Sequence, residues 1–251
     1  MKTTGNTVLI TGGSAGIGFE TAKIFSALGN KVIITGRNQE QLDVALSQLT
    51  NAAAIVGDIS NDTDVENLVV TVKNHFPQLN ILVNNAGKAV SHSLIDGMDG
   101  YKFAEEIMRT NYLSVIRLNQ NLLPILSEKK EAAIVNVTSV VAIVPGSLST
   151  YSASKAAVHS YTLSLRKELI HANKNVKVFE LMPPLVNTKF SAEIGGEKGI
   201  PPSEVALALL KGLKEDHFEI HVGKTQYIYD LYLKSPEEAF NSMNGMSQKK
   251  D

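Results

Sequence analysis

Residues 7–18 read TVLITGGSAGIG, and this stretch decides the fold. The run at 7–11 is short and β-branched, which is typical of a buried strand. A glycine-rich turn follows, in which Gly12 allows a tight turn while Gly16 and Gly18 allow close approach of a phosphate and of the neighbouring strand. A helical pattern starts directly after it, so the segment predicts a pyrophosphate site at a helix N-terminus. A flexible linker is the alternative, but apolar periodic segments flank the turn on both sides.

Outward from this turn, β-branched runs alternate with helical patterns along the whole chain. Strands are predicted at 7–11, 31–35, 53–56, 80–83, 132–138, 176–182 and 218–222, and helices at 16–28, 38–49, 61–75, 99–127, 150–173 and 203–215. Such alternation predicts βαβ units with right-handed crossovers. We expect an α/β fold, a Rossmann-type doubly wound and mainly seven-stranded parallel sheet with helices on both faces. Ser203 is the expected N-cap of the helix at 203–215.

Composition excludes several classes of protein. The 251 residues include 24 Lys and Arg against 25 Asp and Glu, a net charge of −1 that argues against a nucleic-acid surface. The absence of cysteine excludes disulfides, thiolate zinc sites and cysteine nucleophiles. No run approaches the length of a membrane span, and residues 1–6 are too polar for a signal peptide. We therefore expect a cytoplasmic protein, and 251 residues could form one large domain or two small ones.

The second informative motif is YSASK at 151–155. On a helix, Tyr151 and Lys155 share one face, one turn apart. A phenol with a pKa of about 10 is a poor acid–base group at neutral pH, and a nearby ammonium is expected to lower that pKa. Ser139 ends the preceding apolar run and could bring a hydroxyl beside Tyr151. Taken alone, YxxxK also fits an ordinary helix with two amphipathic side chains.

Together these motifs resemble the short-chain dehydrogenase/reductase family. The matching segments are TGGSAGIG at 11–18, GDI at 57–59, NNAG at 84–87, Asn111, NVTS at 136–139, YSASK at 151–155 and PPLVNT at 183–188. They follow the family's order and cover residues 7 to about 222. The family is a single domain of this length, so the resemblance implies a single domain over 1–251. The segments ELMPPLVNT at 180–188 and HVGKTQ at 221–226 are further similar to the bacterial branch called DltE-like.

The resemblance implies a catalytic tetrad. Tyr151 would be the acid–base, Lys155 would lower its pKa and hold the nicotinamide ribose, and Ser139 would donate a hydrogen bond to the substrate oxygen. Asn111 would help to hold a water on a proton path to Lys155. Ser139 precedes Tyr151 by 12 residues, one fewer than is usual in the family, which we interpret as a change of the substrate pocket near 145–150.

The resemblance also implies a dinucleotide site at the sheet edge. The expected contacts are Gly12, Ser14, Gly16, Ile17, Gly18, Arg37, Asp58, Ile59, Asn85, Ala86, Gly87, Tyr151, Lys155, Pro183, Val186 and Thr188. Pro184 stands where many relatives have glycine. No metal is expected, since His217 and His221 share one face of a strand-like run but two histidines alone are weak evidence for a metal site.

The end of the second predicted strand bears on the choice of cofactor. An acidic side chain there would hold the ribose 2′-hydroxyl of NAD, but this chain has Gly36 followed by Arg37. A guanidinium can hold a 2′-phosphate bidentately, so NADP(H) is expected and NAD(H) less so. One feature argues against the preference for NADP(H), because Ala15 stands where many NADP-dependent relatives are basic. Arg37 could, alternatively, be a solvated residue at a helix start.

The predicted activity is hydride transfer between NADP(H) and a carbonyl or secondary alcohol. A catalytically silent NADP-binding regulator on the same fold is the alternative. The segment near 188–202 is expected to be a lid over the small-molecule substrate or, alternatively, an irregular loop, and a helical extension is expected near 224–245. The helices at 99–127 and 150–173 carry surplus apolar residues. This favours a homodimer or homotetramer, unless the surplus packs under neighbouring loops.

Overall fold

The structure is a computed structural model that describes residues 1–95 and 100–246. Its strands are β1 Thr7–Thr11, β2 Lys31–Gly36, β3 Ala52–Val56, β4 Ile81–Asn84, β5 Ala132–Val137, β6 Val176–Met182 and β7 Glu219–His221. They form one parallel sheet in the order β3-β2-β1-β4-β5-β6-β7. The seven-stranded, doubly wound parallel sheet predicted from the sequence is therefore confirmed, and each strand end lies within one residue of its predicted position.

Helices cover both faces of this sheet. They are α1 Gly16–Ala27, α2 Gln39–Leu46, α3 Asp62–His75, α4 Gly100–Met108, α5 Ser114–Ser127, α6 Ser149–His171, α7 Pro202–Glu215, α8 Thr225–Lys234 and α9 Pro236–Asn244. Side chains of α1, α2 and α7 bury one face of the sheet, and those of α3, α5 and α6 bury the other. Because both faces are covered, the central strands are apolar throughout rather than alternating.

The sheet order determines where the functional side chains can meet. The order in which strands are added to the sheet reverses between β1 and β4. These two strands are parallel neighbours, although β2 and β3 come between them in sequence. In open parallel sheets, ligands bind at the carboxyl ends of the strands beside such a reversal. The segments that follow β1, β4, β5 and β6 all emerge at that edge.

The long helix predicted at 99–127 is interrupted by a π-helical turn at Arg109–Leu113, and Asp99 lies outside the described residues. The backbone N–H of Ser114 bonds to the carbonyl of Arg109, five residues back. Such turns insert a residue into the helix and are frequent at functional sites. Asn111 lies at the centre of this turn.

Other helix boundaries also differ from the sequence prediction. Ser203 is not the N-cap of α7, because Pro201 takes that position and Pro202 begins the helix, as its fixed φ allows. The α2 helix ends at Leu46 instead of continuing to residue 49, where the chain tightens into three-residue turns. The α6 helix ends at His171, and Asn173 takes a positive φ of 49°.

The two last helices, α8 and α9, enclose a third and smaller apolar cluster. Ile228 and Ala239 pack there against Val140 and Val144, which follow β5. The side chain of Asn244 donates to the carbonyl of Pro145. The C-terminal helices therefore support the loop between Ser139 and α6. Among the described helices, none combines the length and the apolar character needed to cross a membrane.

Candidate active site

The glycine-rich turn after β1 requires glycine for two different reasons. Gly12 has a φ of +65°, a conformation that residues with a side chain rarely adopt. Gly18 has an ordinary φ, but a Cβ built there would lie 2.3 Å from the carbonyl oxygen of Gly12. The first turn of α1 therefore packs directly on the backbone of the turn before it.

The start of α1 offers uncapped backbone donors to a ligand. Ala15 is its N-cap and makes no side-chain cap bond. The N–H groups of a helix's first turn lack intrahelical partners and carry partial positive charge. Gly16 faces the loop after β6, because a Cβ there would be 3.1 Å from Thr188 Cγ2. Ile17 is half-buried against the core of this face.

Thr11 connects the glycine-rich turn to the loop after β4. Its hydroxyl oxygen accepts the backbone N–H groups of Asn85 and Ala86, both at 3.0 Å. The Asn85 side chain donates to the carbonyl of Thr11 at 2.9 Å. Asn85 and Ala86 thus hold two loops of the site together. Sequence analysis did not assign Thr11 to the site, although its position between an apolar strand and Gly12 could have indicated it.

Arg37 and Asp58 follow neighbouring strands and approach each other. Arg37 Nη1 lies 3.8 Å from Asp58 Oδ2, and the Arg37 side chain is 76% exposed. The other Asp58 oxygen accepts from the backbone and the hydroxyl of Ser60. Ser14 lies at the same edge, 3.3 Å from a Cβ built at Gly36. The guanidinium is free to turn towards a ligand, whereas Ile59 is buried in the core.

Ser139 and Tyr151 meet despite their shortened spacing in the sequence. The Ser139 side chain lies close enough to the Tyr151 hydroxyl to lower its pKa. Ser139 is buried at the end of β5, and its hydroxyl also lies 3.4 Å from the carbonyl oxygen of Pro183. The missing residue therefore shortens the loop before α6 without separating the two hydroxyls.

Lys155 is buried one turn after Tyr151. Its ammonium donates to the carbonyl of Val137 at 2.8 Å and lies 5.5 Å from the centre of the Tyr151 ring. Burial lowers the pKa of Lys155 to about 8, and the charge of Glu180 opposes this shift. Gly87 borders the same group, since a Cβ there would be 3.8 Å from Lys155 Nζ.

The expected fall in the Tyr151 pKa does not occur in this structure. Burial raises the pKa of the Tyr151 hydroxyl, and the hydrogen bond to Ser139 offsets that rise only in part. The physical reason is that a buried phenolate loses its hydration. The nearby ammonium is directed at the carbonyl of Val137 rather than at the phenol oxygen. Tyr151 is therefore held in its protonated form.

The side chain of Asn111 makes three hydrogen bonds within the protein. Its amide oxygen accepts the backbone N–H of Lys88 at 2.7 Å, and its amide nitrogen donates to the carbonyl of Lys88 and the hydroxyl of Ser154. These bonds fix the loop after Gly87 against α6. Since both amide hydrogens are used, a water held near Asn111 would act as a donor, to the second lone pair of the amide oxygen or to backbone carbonyls of the π-helical turn.

The loop after β6 is ordered by its own hydrogen bonds. Val186 forms a short parallel bridge with Ile200, and Thr188 and Ser191 cap each other at the start of a 3₁₀ turn at Lys189–Ile194. Phe190 lies on this turn with its ring centre 5.7 Å from that of Tyr151. Sequence analysis placed Phe190 only in a loop, but the contact makes it a wall of the site.

The two histidines weighed as metal ligands do not converge. His217 pairs with Glu215, whereas His221 bonds to Gln226. Within the described ranges, no three His, Asp or Glu side chains are arranged to hold a metal ion.

Comparison with known proteins supports the assignment that this geometry suggests. The family described as short chain dehydrogenase matches residues 6–199. The uncharacterized oxidoreductase DltE of Bacillus subtilis is 36% identical over 250 residues, covering 97% of this chain and 98% of that protein. An uncharacterized oxidoreductase of Staphylococcus saprophyticus is 33% identical, covering 82% of this chain and 90% of its own.

Two solved structures share the fold over nearly the whole chain. A short-chain dehydrogenase/reductase from Burkholderia phymatum, in complex with NAD, superposes with a TM-score of 0.86 at 21% identity, covering 100% of this chain and 99% of its own. A short-chain dehydrogenase from Burkholderia cenocepacia, in complex with NADP, gives 0.82 at 25% identity, covering 96% and 98%. The chain is therefore an oxidoreductase that belongs to the short-chain dehydrogenase/reductase family.

Proposed function

We propose that the protein transfers hydride between NADP(H) and a carbonyl or secondary alcohol. The observation that carries this proposal is the meeting of Ser139, Tyr151 and Lys155 at the carboxyl edge of the sheet, beside the glycine-rich turn. Such chemistry needs one acid–base group, one hydrogen-bond donor for the substrate oxygen and a positioned nicotinamide. No observation favours the silent regulator, because all four residues of the expected tetrad are present.

The residues at the sheet edge fit a dinucleotide. A side chain at Gly18 would clash with the backbone of Gly12, so the turn keeps its surface clear for a pyrophosphate. The uncapped N-terminus of α1 supplies donors and positive charge to that group. Pro183, Val186 and Thr188, on the opposite loop, would border the nicotinamide.

NADP(H) is the proposed form of the cofactor because of Arg37. Its guanidinium is largely exposed at the end of β2, with one loose partner, Asp58, at 3.8 Å. The solved relatives do not decide the matter, since one was obtained with NAD and the other with NADP. Gly36 leaves no carboxylate at the position expected to hold the ribose 2′-hydroxyl of NAD.

The chain's own residues handle the proton. When bound, the nicotinamide supplies or accepts the hydride and, in its oxidised form, adds a positive charge. In reduction, Tyr151 gives its proton to the substrate oxygen as that oxygen gains negative charge, and Ser139 stabilises the same oxygen by a hydrogen bond. In oxidation, Tyr151 takes the proton back. In both directions, the Lys155 ammonium stabilises the tyrosinate form of Tyr151.

The substrate would lie over Tyr151, between two loops. Phe190 forms one apolar wall. Val141 and Met243 lie against Gly146 on the opposite loop, so α9 shapes that side. We assign residues 188–202 as the lid and 224–245 as a helical extension of a single domain.

We also propose self-association through α5 and α6. Many of the surplus apolar side chains, such as Ile107 and Leu118, are buried within one chain, which supports the loop-packing alternative for them. Leu113 and Leu163 remain 48% and 38% exposed. A homodimer or homotetramer would cover them.

Turnover with a panel of carbonyl compounds and alcohols tests the proposed activity. Absorbance of the reduced nicotinamide should fall when NADPH is mixed with an accepted aldehyde or ketone, and rise when NADP is mixed with the matching alcohol. Binding of NADPH without turnover of any compound, under conditions where a characterised family member is active, would instead favour the silent regulator.

A further inference from the structure

Three titratable side chains lie in a row along one face of α6. Tyr151, Lys155 and His159 are four residues apart, which places them one above the other on a helix. The first two belong to the proposed catalytic tetrad. The third contacts a carboxylate on β6, Glu180, to which no role has been given so far.

Glu180 is a fully buried carboxylate in β6. Its exposed fraction is 0%. One oxygen accepts the hydroxyl of Thr138 at 2.6 Å, and both lie near His159 Nδ1, at 2.9 and 3.1 Å. Burial of a charged carboxylate costs several kcal/mol unless partners satisfy it. A residue kept at that cost, with two specific partners and beside a reactive site, calls for a functional explanation.

The contacts lead from Glu180 to Lys155 in a short chain. The Lys155 ammonium donates to the carbonyl of Val137, and the same peptide unit continues into Thr138, which donates to Glu180. His159, the other partner of Glu180, follows Lys155 by one turn of α6. The carboxylate thus contacts α6 one turn beyond Lys155, whereas Tyr151 lies one turn before it.

We propose that Glu180 is a positioning residue whose buried negative charge keeps Lys155 protonated and in place beside Tyr151. The inference rests on the proposed function, since Lys155 is taken to hold the nicotinamide ribose as an ammonium. His159 and Thr138 hold the carboxylate in its place. Its action on the substrate is indirect, through Lys155 alone.

The electrostatics of the neighbourhood agree with this assignment. Burial lowers the pKa of Lys155 to about 8, and the charge of Glu180 works against that fall. The hydrogen bond to Glu180 raises the pKa of His159 against the effect of burial. Glu219 adds to the rise and Arg166 opposes it. Without the carboxylate, Lys155 would lose its proton at a lower pH.

Glu180→Gln tests the inference with little change of shape. The amide oxygen can still accept from Thr138, and the amide nitrogen can donate to His159, so only the charge is removed. NADPH affinity, measured by fluorescence from pH 6 to pH 10, should weaken above the pKa of Lys155. We call this fall in NADPH affinity the alkaline limb. In the variant we expect its midpoint to lie about one pH unit lower than in the wild type. Thermal unfolding of each variant shows whether the fold is kept.

His159→Asn separates an electrostatic role from a structural one. It alters the same contact but leaves the Glu180 charge, and the asparagine amide can take the place of Nδ1. The alkaline limb should stay in place or move up. If the contact between Glu180 and His159 were purely structural, both substitutions would move the alkaline limb in the same direction. Glu219→Gln, on the neighbouring strand of the sheet, is the matched control and should leave the limb unchanged.

The outcomes separate this inference from the function on which it rests. A wild-type protein that binds NADPH, paired with a Glu180→Gln variant whose limb is unmoved, would overturn the role of Glu180 and leave the function standing. The same follows if His159→Asn moves the limb down as far as Glu180→Gln does. A wild-type protein without NADPH affinity at any pH would overturn both.

Discussion

Replacing Arg37 with alanine tests the choice of cofactor directly. The substitution removes an exposed guanidinium at the end of β2 and one loose ion pair with Asp58 at 3.8 Å. Neither the guanidinium nor its ion pair with Asp58 is part of the apolar core, so the fold should be unaffected. NADPH binding should weaken while NADH binding stays nearly the same, because only NADPH carries the 2′-phosphate.

The magnitude follows from the exposure of the side chain. A charge-assisted hydrogen bond contributes about 1.5–3 kcal/mol. Since the Arg37 side chain is 76% exposed, solvent and salt screen it, and the lower end of that range applies. About 1.5 kcal/mol corresponds to roughly a tenfold loss of affinity. The advantage of NADPH over NADH should also shrink as the salt concentration rises.

The assay is titration of the wild type and the variant with both reduced cofactors, followed by nicotinamide fluorescence. Lys129→Ala is the control for net charge. Lys129 precedes β5 and donates to the carbonyl of Pro77, at the opposite edge of the sheet, so its loss should change neither affinity. Equal affinity of the wild type for NADH and NADPH, or an equal loss of both in Arg37→Ala, would refute the assignment.

Further predictions concern the chemistry, the turn and the assembly. Tyr151→Phe should abolish nearly all turnover and keep NADPH binding, whereas Lys155→Ala should damage both; substantial turnover in Tyr151→Phe would refute the acid–base assignment. Gly18→Ala should lower both Tm and NADPH affinity, because its Cβ would lie 2.3 Å from the Gly12 carbonyl oxygen. An unchanged Tm would contradict that geometry. Light scattering coupled to size exclusion should give a multiple of 27.1 kDa at micromolar concentration, and the monomer mass would refute self-association.

The parts of the fold that local sequence determines were predictable. A strand in a doubly covered sheet needs an apolar β-branched run, and the glycine-rich turn fixes where β1 ends and α1 begins. These signals lie within a few residues of one another, and the predicted strands agree with the structure to within one residue. The helix ends were less predictable, since Pro201 and Ser203 are both acceptable beside the start of α7.

The electrostatics of the site could not be read from spacing. YxxxK places a phenol and an ammonium one turn apart, but the pattern says nothing of the depth at which both are buried. Desolvation outweighs the effect of the Ser139 hydroxyl and raises the pKa of Tyr151. Likewise, the Asn111 side chain on the π-helical turn bonds to Lys88 and Ser154, which lie 23 and 43 residues away in the sequence.

Glu180 and His159 show what a single sequence hides. The glutamate in VKVFELM lies among the apolar residues of the strand's second half, which signals either an edge position or a paired buried charge. The sequence cannot choose between them, because the partners Thr138 and His159 lie 42 and 21 residues away. Only the packing of α6 on β6 shows that the glutamate is buried and paired.

The arrangement of α6 gives a reason for burying this carboxylate. Tyr151 must remain protonated until the substrate arrives, and burial achieves that by raising its pKa. The same burial acts in the opposite sense on Lys155, lowering its pKa to about 8 and weakening the ammonium on which the tyrosinate would depend. A fixed negative charge behind Lys155 counters the second effect without reaching the phenol. We infer that Glu180 supplies this counter-charge for the Tyr151–Lys155 pair of the proposed site.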